Sequence, residues 1–379
     1  MATSQNLPQN GVEEEFRSGL NFTISQLLGR ANPEFRSRAL KSKPSKNDDW
    51  VQISADHITK LDGFTSANLG LMFEDLLEQR VTLTPLEVIG LGATSIGGER
   101  AGLWNDLLNL NHCLQSWVEA NACLCINKTV ARLQDRLGIP QKTYGLAAQF
   151  RRYRPFSMIG QRSGQKKYLH ANWLVAWPGR WIPDGVDLVG QLKSPTHFDP
   201  TDVAFINPAD GDEWEEPPAE IAAASWCLRQ CGTYAWQAEC RYMFLVTVEY
   251  VTVLRFYLVE GGGEEDLAIS TVLGVEYDYF PYSRHGEREL SLCKTVWALT
   301  LMAQHPRHRD IVPRRRMLPL NTWYSYTTAA EGRTYYVHHL SEIIRDSIPG
   351  NEPKIIDISK ARDEDLIQRI ALRVGEAGR

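Results

Sequence analysis

Lys193 closes an apolar run, VDLVGQLK, and the residue two positions before it is Gln191. Side chains alternate faces along a strand, so Asp187, Val189, Gln191 and Lys193 share one face while Leu188, Gly190 and Leu192 share the other. An earlier run, YLHANWLVAW, precedes the Pro/Gly turn PGRWIPDG and puts Asn172 at the start of an adjacent antiparallel strand. Carboxylates at 172 and 191 could together hold Mg²⁺ while the lysine orients or activates a water. The chain has amides at both places, with carbonyl oxygens of similar shape but no charge for a metal that relies on carboxylates. Asp187 shares the face of Lys193 but lies about 13 Å from Gln191 at ~3.3 Å per residue, far for joint coordination.

The elements that must position these groups follow from periodicity. Residues 1–55 are rich in Ser, Asn, Pro and charge and read as a mobile arm with one helix near Leu20 to Leu28. Three- and four-residue apolar steps over 58–91, clearest in LGLMFEDLLEQRV, predict an amphipathic helix. A second helix is predicted over 98–124, with Leu103, Leu107, Leu110, Leu114, Trp117 and Val118 on one stripe. Residues 198–218 form an acidic, Pro-rich surface insertion and 219–238 return to helix. RYMFLVTVEYVTVLRFYLVE reads as a hairpin bent near Glu249 and Tyr250, followed by a strand over 269–275, a helix over 290–304 and a charged helix over 363–374. The predicted fold is α/β, a central mixed sheet flanked by helices, with an N-terminal helical region (56–94), a core (95–305) and a C-terminal extension (306–379).

In order along the chain, these elements resemble the PD-(D/E)xK nuclease superfamily, and more narrowly fungal nuclease-like proteins. There a lysine-bearing strand is followed by Ser/Thr-Pro, a helix and an Arg-Tyr-led hairpin. Here these are QLKSPTHF, WCLRQCGTYAW and RYMFLVTVEYVTVLRFY, and SLCKTVWALTLMAQHP resembles the helix that closes that core. Gln230 and Tyr234 match the QxxxY spacing of RecB-like members, although a pair at i and i+4 is also an ordinary helical contact. The match covers roughly 95–305, and the order of the motifs carries its specificity. The resemblance implies a Mg²⁺-dependent DNA phosphodiesterase with Lys193 on the attacking water, Asn172 and Gln191 at the ligand positions, and Gln230 and Tyr234 beside them. Glu99 would be a helical metal ligand, with Asp187 or Asp184 as a further acid. Pairing Pro183 with Asp184 as the family's PD leaves only seven residues before Gln191, too few for two strands and a turn. The two amides favour a pseudonuclease that binds nucleic acid or protein. A third reading is an aromatic-lined cleft reused for an apolar small molecule.

Net charge is −5, so contact with DNA would need local basic patches. Two are present: Arg151, Arg152 and Arg154 around Tyr153, and Arg314, Arg315 and Arg316 after Arg307 and Arg309. A solvated charge run is the commoner explanation of such clusters, and Trp173, Trp177 and Trp181 read as packing rather than base stacking. Seven cysteines lack a CxxC pair, and His338 and His339 lack metal spacing. No window approaches the ~18 apolar residues of a membrane span, and the polar, acidic start differs from a secretory leader. Together these predict an intracellular protein, cytoplasmic or nuclear, without a membrane partner.

Overall fold

The computed structural model describes residues 20–34, 46, 48, 50–91, 107–139, 149–151, 156–159, 166–169, 173–176, 186–206, 217–259, 272–328, 332–348, 353–361 and 364–377. Its centre is a seven-stranded mixed sheet. The strands are β2 (Gln52–Lys60), β4 (Gln149–Arg151), β7 (Trp173–Ala176), β8 (Val186–Leu192), β9 (Tyr242–Val246), β10 (Tyr250–Leu258) and β11 (Val272–Pro281). Their order is β2-β11-β10-β9-β8-β7-β4. β7 and β8 are antiparallel, with Trp173 opposite Gly190 and Leu174 opposite Val189. β8 and β9 are parallel, with Gln191 beside Leu245, and the chain between them forms α5 (Ala219–Gln237). β9 and β10 form the expected hairpin, turning at 247–249. The strand expected over 269–275 is longer: β11 pairs along all of β10, from Leu273 opposite Leu258 to Pro281 opposite Tyr250.

The two faces of the sheet are covered by different helices. Directly paired residues share a face, so Val189 and Gln191 lie with Met243, Leu245, Leu254 and Phe256. α5 packs there, close enough that a Cβ on Gly232 would lie 3.3 Å from the Phe256 ring and 3.0 Å from Val51. Gly190 and Phe244 face the other way, beneath α6 (Leu292–Met302). Trp297 of α6 stacks edge-on against Phe73, and its indole donates to Thr129 at 3.0 Å. Those partners belong to α2 (Ser66–Leu77) and α4 (Leu124–Arg136). β10 and α6 are buried almost throughout while α5 buries the stripe it turns to the sheet, so the strand is covered on both faces.

Several sequence expectations are corrected. Residues 52–60 are β2, a strand paired in parallel with β11, so the helix expected over 58–91 begins only at Ser66, after a turn in which Gly63 takes φ +87. Apolar spacing spanned both elements because Ile58 and Leu61 face the core from the strand and the turn as a helix stripe would. Within the segment expected as a mobile arm, 20–34 packs on the core. β1 (Asn21–Thr23) pairs with β3 (Arg80–Thr82), and α1 (Ile24–Leu28) buries Ile24, Leu27 and Leu28. The second helix, α3 (Leu107–Val118), does not end at Leu124 but passes through a π-helical turn at Glu119–Cys123 into α4. Buried Asn121 marks that turn: its amide donates to Trp117 O at 2.8 Å and its carbonyl accepts from Arg30 at 2.9 Å. The insertion at 198–218 is anchored, with Phe198 and Val203 buried and a 3₁₀ turn at Asp202–Phe205.

The C-terminal extension forms its own four-stranded sheet, β14-β13-β12-β15. Its strands are β12 (Thr322–Thr327), β13 (Thr334–His338), β14 (Ile344–Arg345) and β15 (Lys354–Asp357), followed by α7 (Glu364–Ala377). Tyr335, Val337, Ile358, Leu366, Ile370 and Val374 make a small separate core there. Short strands β5 (Phe156–Ile159) and β6 (Lys166–Leu169) pair with each other.

Gly190 has no room for a side chain, since a Cβ there would come within 2.7 Å of two Phe244 ring carbons and closer still to Cζ. Phe244 is wholly buried and cannot swing into solvent. Gly190→Ala should therefore cost about 1–3 kcal/mol, read as a lower midpoint in urea at unchanged slope; an unchanged midpoint would refute this packing.

Candidate functional site

The ladder between β8 and β9 continues one residue past the strand, with the Lys193 amide donating to Val246 O at 2.9 Å. The chain then turns sharply: His197 N and Phe198 N both donate to Ser194 O, and buried Phe198 locks the turn. That turn leaves half-buried Lys193 under α5. Pro217 and Pro218 precede α5, Glu220 lies in its first turn, and three consecutive alanines help to propagate it. Its stripe at Cys227, Gln230, Cys231 and Tyr234 is buried against the sheet. On another side, Arg229 stacks 4.2 Å above Trp226 and donates to the Val51 and Trp50 carbonyls, tying the helix to the start of β2.

Lys193, Gln230 and Tyr234 meet in a single chain of hydrogen bonds. Lys193 Nζ donates to Gln230 Oε1, and Gln230 Nε2 donates to the Tyr234 hydroxyl at 2.9 Å. The i and i+4 spacing thus serves more than a surface pair, because the lysine fixes which way the amide points. Gln191 is buried, 2% exposed, on the same sheet face. Cys227 and Cys231 complete the surroundings. Burial pushes both thiols up, with the Lys193 cation pulling the other way. Cys227 Sγ also donates to His197 O at 3.4 Å. The sequence reading passed over these cysteines, although 227, 230, 231 and 234 form one helical stripe that could have flagged them.

Asn172, Glu99, Asp184, Arg152 and Arg154 lie outside the described residues, and for Asp187 and Arg151 the backbone alone is described. β4 runs parallel to β8 with β7 between them, and the register sets Arg151 level with Val189, four residues or about 13 Å at ~3.3 Å per residue short of Lys193 along the strands. Arg314, Arg315 and Arg316 form a 3₁₀ turn at the opposite end. Pro313 bridges Leu258, seven residues along β10 from Val251, the partner of Val246, an offset of roughly 23 Å at ~3.3 Å per residue. Arg314 is also engaged there, 3.6 Å from Glu276 and stacked over Tyr257. Lys193 and the Arg314 to Arg316 turn therefore lie at opposite ends of the sheet.

The described donors around Lys193 do not fit Mg²⁺. They are amides, a phenol and two thiols that burial keeps protonated, whereas Mg²⁺ needs hard, charged oxygens. Among the described residues no group of three His, Cys, Asp or Glu side chains could hold a metal. No helix among them is long and apolar enough to cross a membrane.

Comparison with known proteins returned no match: no family model fits the sequence, and neither a curated protein nor a solved structure is similar to it.

Tyr234→Phe removes one neutral hydrogen bond and should cost about 1 kcal/mol. Gln230→Leu leaves both the Lys193 ammonium and the Tyr234 hydroxyl without this partner and should cost about 2–3 kcal/mol. Urea unfolding of both variants checks that ranking, and equal losses would mean the chain of bonds does not act as one.

Proposed function

We propose that this chain carries a nuclease-like core that binds a phosphodiester backbone through Lys193 without cleaving it. The observation that carries the proposal is the partner of Lys193: among the described residues its ammonium is held by the neutral amide of Gln230 and by no carboxylate. A neutral acceptor leaves the full positive charge of the lysine for an anion. Two further supports come from sequence and topology. Gln191, two residues before the lysine, provides no acid on that face. The hairpin of β7 and β8, the helix α5 and the parallel return to β9 follow the order expected from the family resemblance.

Fold resemblance alone does not decide between binding and hydrolysis. A Mg²⁺-dependent DNA phosphodiesterase is the competing reading, and its residues would be Lys193 with Asp187, Asp184 or Glu99.

Fluorescence anisotropy with single- and double-stranded DNA at several salt concentrations, with and without Mg²⁺, separates the two. Binding should be salt-dependent, and Lys193→Ala should weaken it and flatten the salt slope by about one ion. DNA should stay intact in Mg²⁺, and Asn172→Asp with Gln191→Glu should raise Mg²⁺ affinity in calorimetry. Cleavage lost in Lys193→Ala would replace the proposal with the hydrolase. Absence of DNA binding at low salt would remove both.

A further inference from the structure

Four histidines meet where the C-terminal sheet docks on the core. His305 and His308 follow α6, and His338 and His339 close β13. Ring centroids are 4.4 Å apart for His305 and His308, 4.7 Å for His308 and His339, and 5.1 Å for His338 and His339. Trp323, itself fully buried, packs against His338 at 4.9 Å. All four imidazoles are buried, at most 9% exposed. Leu320 and Leu340 beside them belong to the main core, so this seam joins the two parts of the chain.

The hydrogen bonds require three of the four rings to be neutral: His305, His338 and one of His308 and His339. His305 Nδ1 accepts from Arg307 N at 3.3 Å, and His338 Nδ1 accepts from Leu340 N at 3.2 Å. A nitrogen that accepts carries no proton, so the His338 proton sits on Nε2, facing Leu320 O at 2.9 Å. His308 Nε2 and His339 Nδ1 face each other at 3.4 Å, so one must be bare, and His339 Nε2 is buried without a partner among the described residues.

The charged groups around the seam are mostly cations. The start of β9 contributes Arg241, 2% exposed, whose Nε donates to Asp310 O at 2.6 Å, and Arg255 of β10 lies behind it, paired with Glu276. Arg307 comes from the loop after α6, Arg345 from β14, and Arg369 from α7. Glu342, 1% exposed, is 3.8 Å from His305 but already pairs with Arg369 and Arg373, and Arg136 of α4 donates to neighbouring Ser341 O. Burial, reinforced by these cations, pushes His305 and His338 down to about 3 and holds His308 and His339 well below the ordinary range.

We propose that this histidine seam is an acid-sensitive latch: mild acidification releases the C-terminal sheet from the core before the core itself unfolds. The direction follows from linkage. Imidazoles neutral when docked and ordinary when released contribute their full stabilisation above about pH 6.5 and lose it as pH falls toward 3. Each ring that takes up a proton on release favours opening about tenfold more at pH ~5.5 than at pH ~7.5, and four rings together by at most ~10⁴.

Hydrogen exchange of the whole chain at those two pH values, corrected for intrinsic rates, tests the latch. Protection over β12 to β14 should fall by between 10- and 10⁴-fold while β9 and β10 keep theirs. His308→Gln with His339→Gln should reduce that response by about tenfold for each of the two rings that takes up a proton on release, at most ~100-fold. Imidazole nitrogen NMR of the unaltered protein should show four rings still neutral in the docked state at pH ~5.5, which holds the proposal to account even if the double variant does not fold. Unchanged protection of β12 to β14, loss in step with β9 and β10, or a ring of the seam titrating near 6.5 while docked would each overturn it.

Discussion

A lysine that ends a strand covered on both faces must either reach water or find an acceptor inside the molecule, and the ammonium of half-buried Lys193 is held from inside. The acceptor is Gln230, and much of the core is arranged to bring it there. Gln230 is on α5, α5 is the crossover that makes β8 and β9 parallel, and Arg229 next to it clamps the helix to the start of β2. One polar contact therefore couples the order of strands in the sheet to the position of a cation. A neutral partner has a particular consequence. A buried pair of opposite charges would satisfy itself, whereas an amide satisfies the hydrogen-bonding need of the lysine and leaves its charge for another group.

Sheet packing imposes its own constraint. Phe244 lies across Gly190 on the neighbouring strand, and Tyr257 lies across Gly274 in the same manner. In each case an aromatic ring takes the volume that a side chain on the adjacent strand would fill, so the glycines are set by the rings and not by the turns of the chain. Tyr257 then reaches the His57 carbonyl at 2.9 Å and carries Arg314 over its face, which ties β2 and the loop after Pro313 to the same ring.

Elements with a single dominant periodicity were legible in the sequence, and so was their order. The β9 to β10 hairpin, α5 and α6 lie close to the expected bounds because each is long, apolar and flanked by turns. The meeting of Lys193 with Gln230 and Tyr234 was implied by the family resemblance alone, since strand alternation and i, i+4 spacing each select a face within one element and do not say that the two faces meet. What escaped were features set by distant partners. β2 is a strand because β11 offers it a parallel edge, and a helix-like spacing from Ile58 onward concealed this. The C-terminal sheet escaped because its strands are two to six residues long, too short for alternation to register. The histidines at 305, 308, 338 and 339 look unrelated in sequence, and only docking brings them together.

The placement of charge limits what the core can do with an anion. The Arg314 to Arg316 cluster is one of the two basic patches visible in the sequence, and antiparallel pairing of β10 with β9 carries it to the end of the sheet opposite Lys193. Glu276 and Tyr257 hold Arg314 there, and Glu276 also pairs with buried Arg255. Arg314 and Arg255 are thus engaged at that end, and Lys193 stands at the other. Register sets Arg151 between them, level with Val189 and Leu254, about 13 Å along the strands from both Lys193 and Pro313 at ~3.3 Å per residue. An anion held at Lys193 would therefore have to extend along the strands, and not only across them, to reach Arg151 or Arg314.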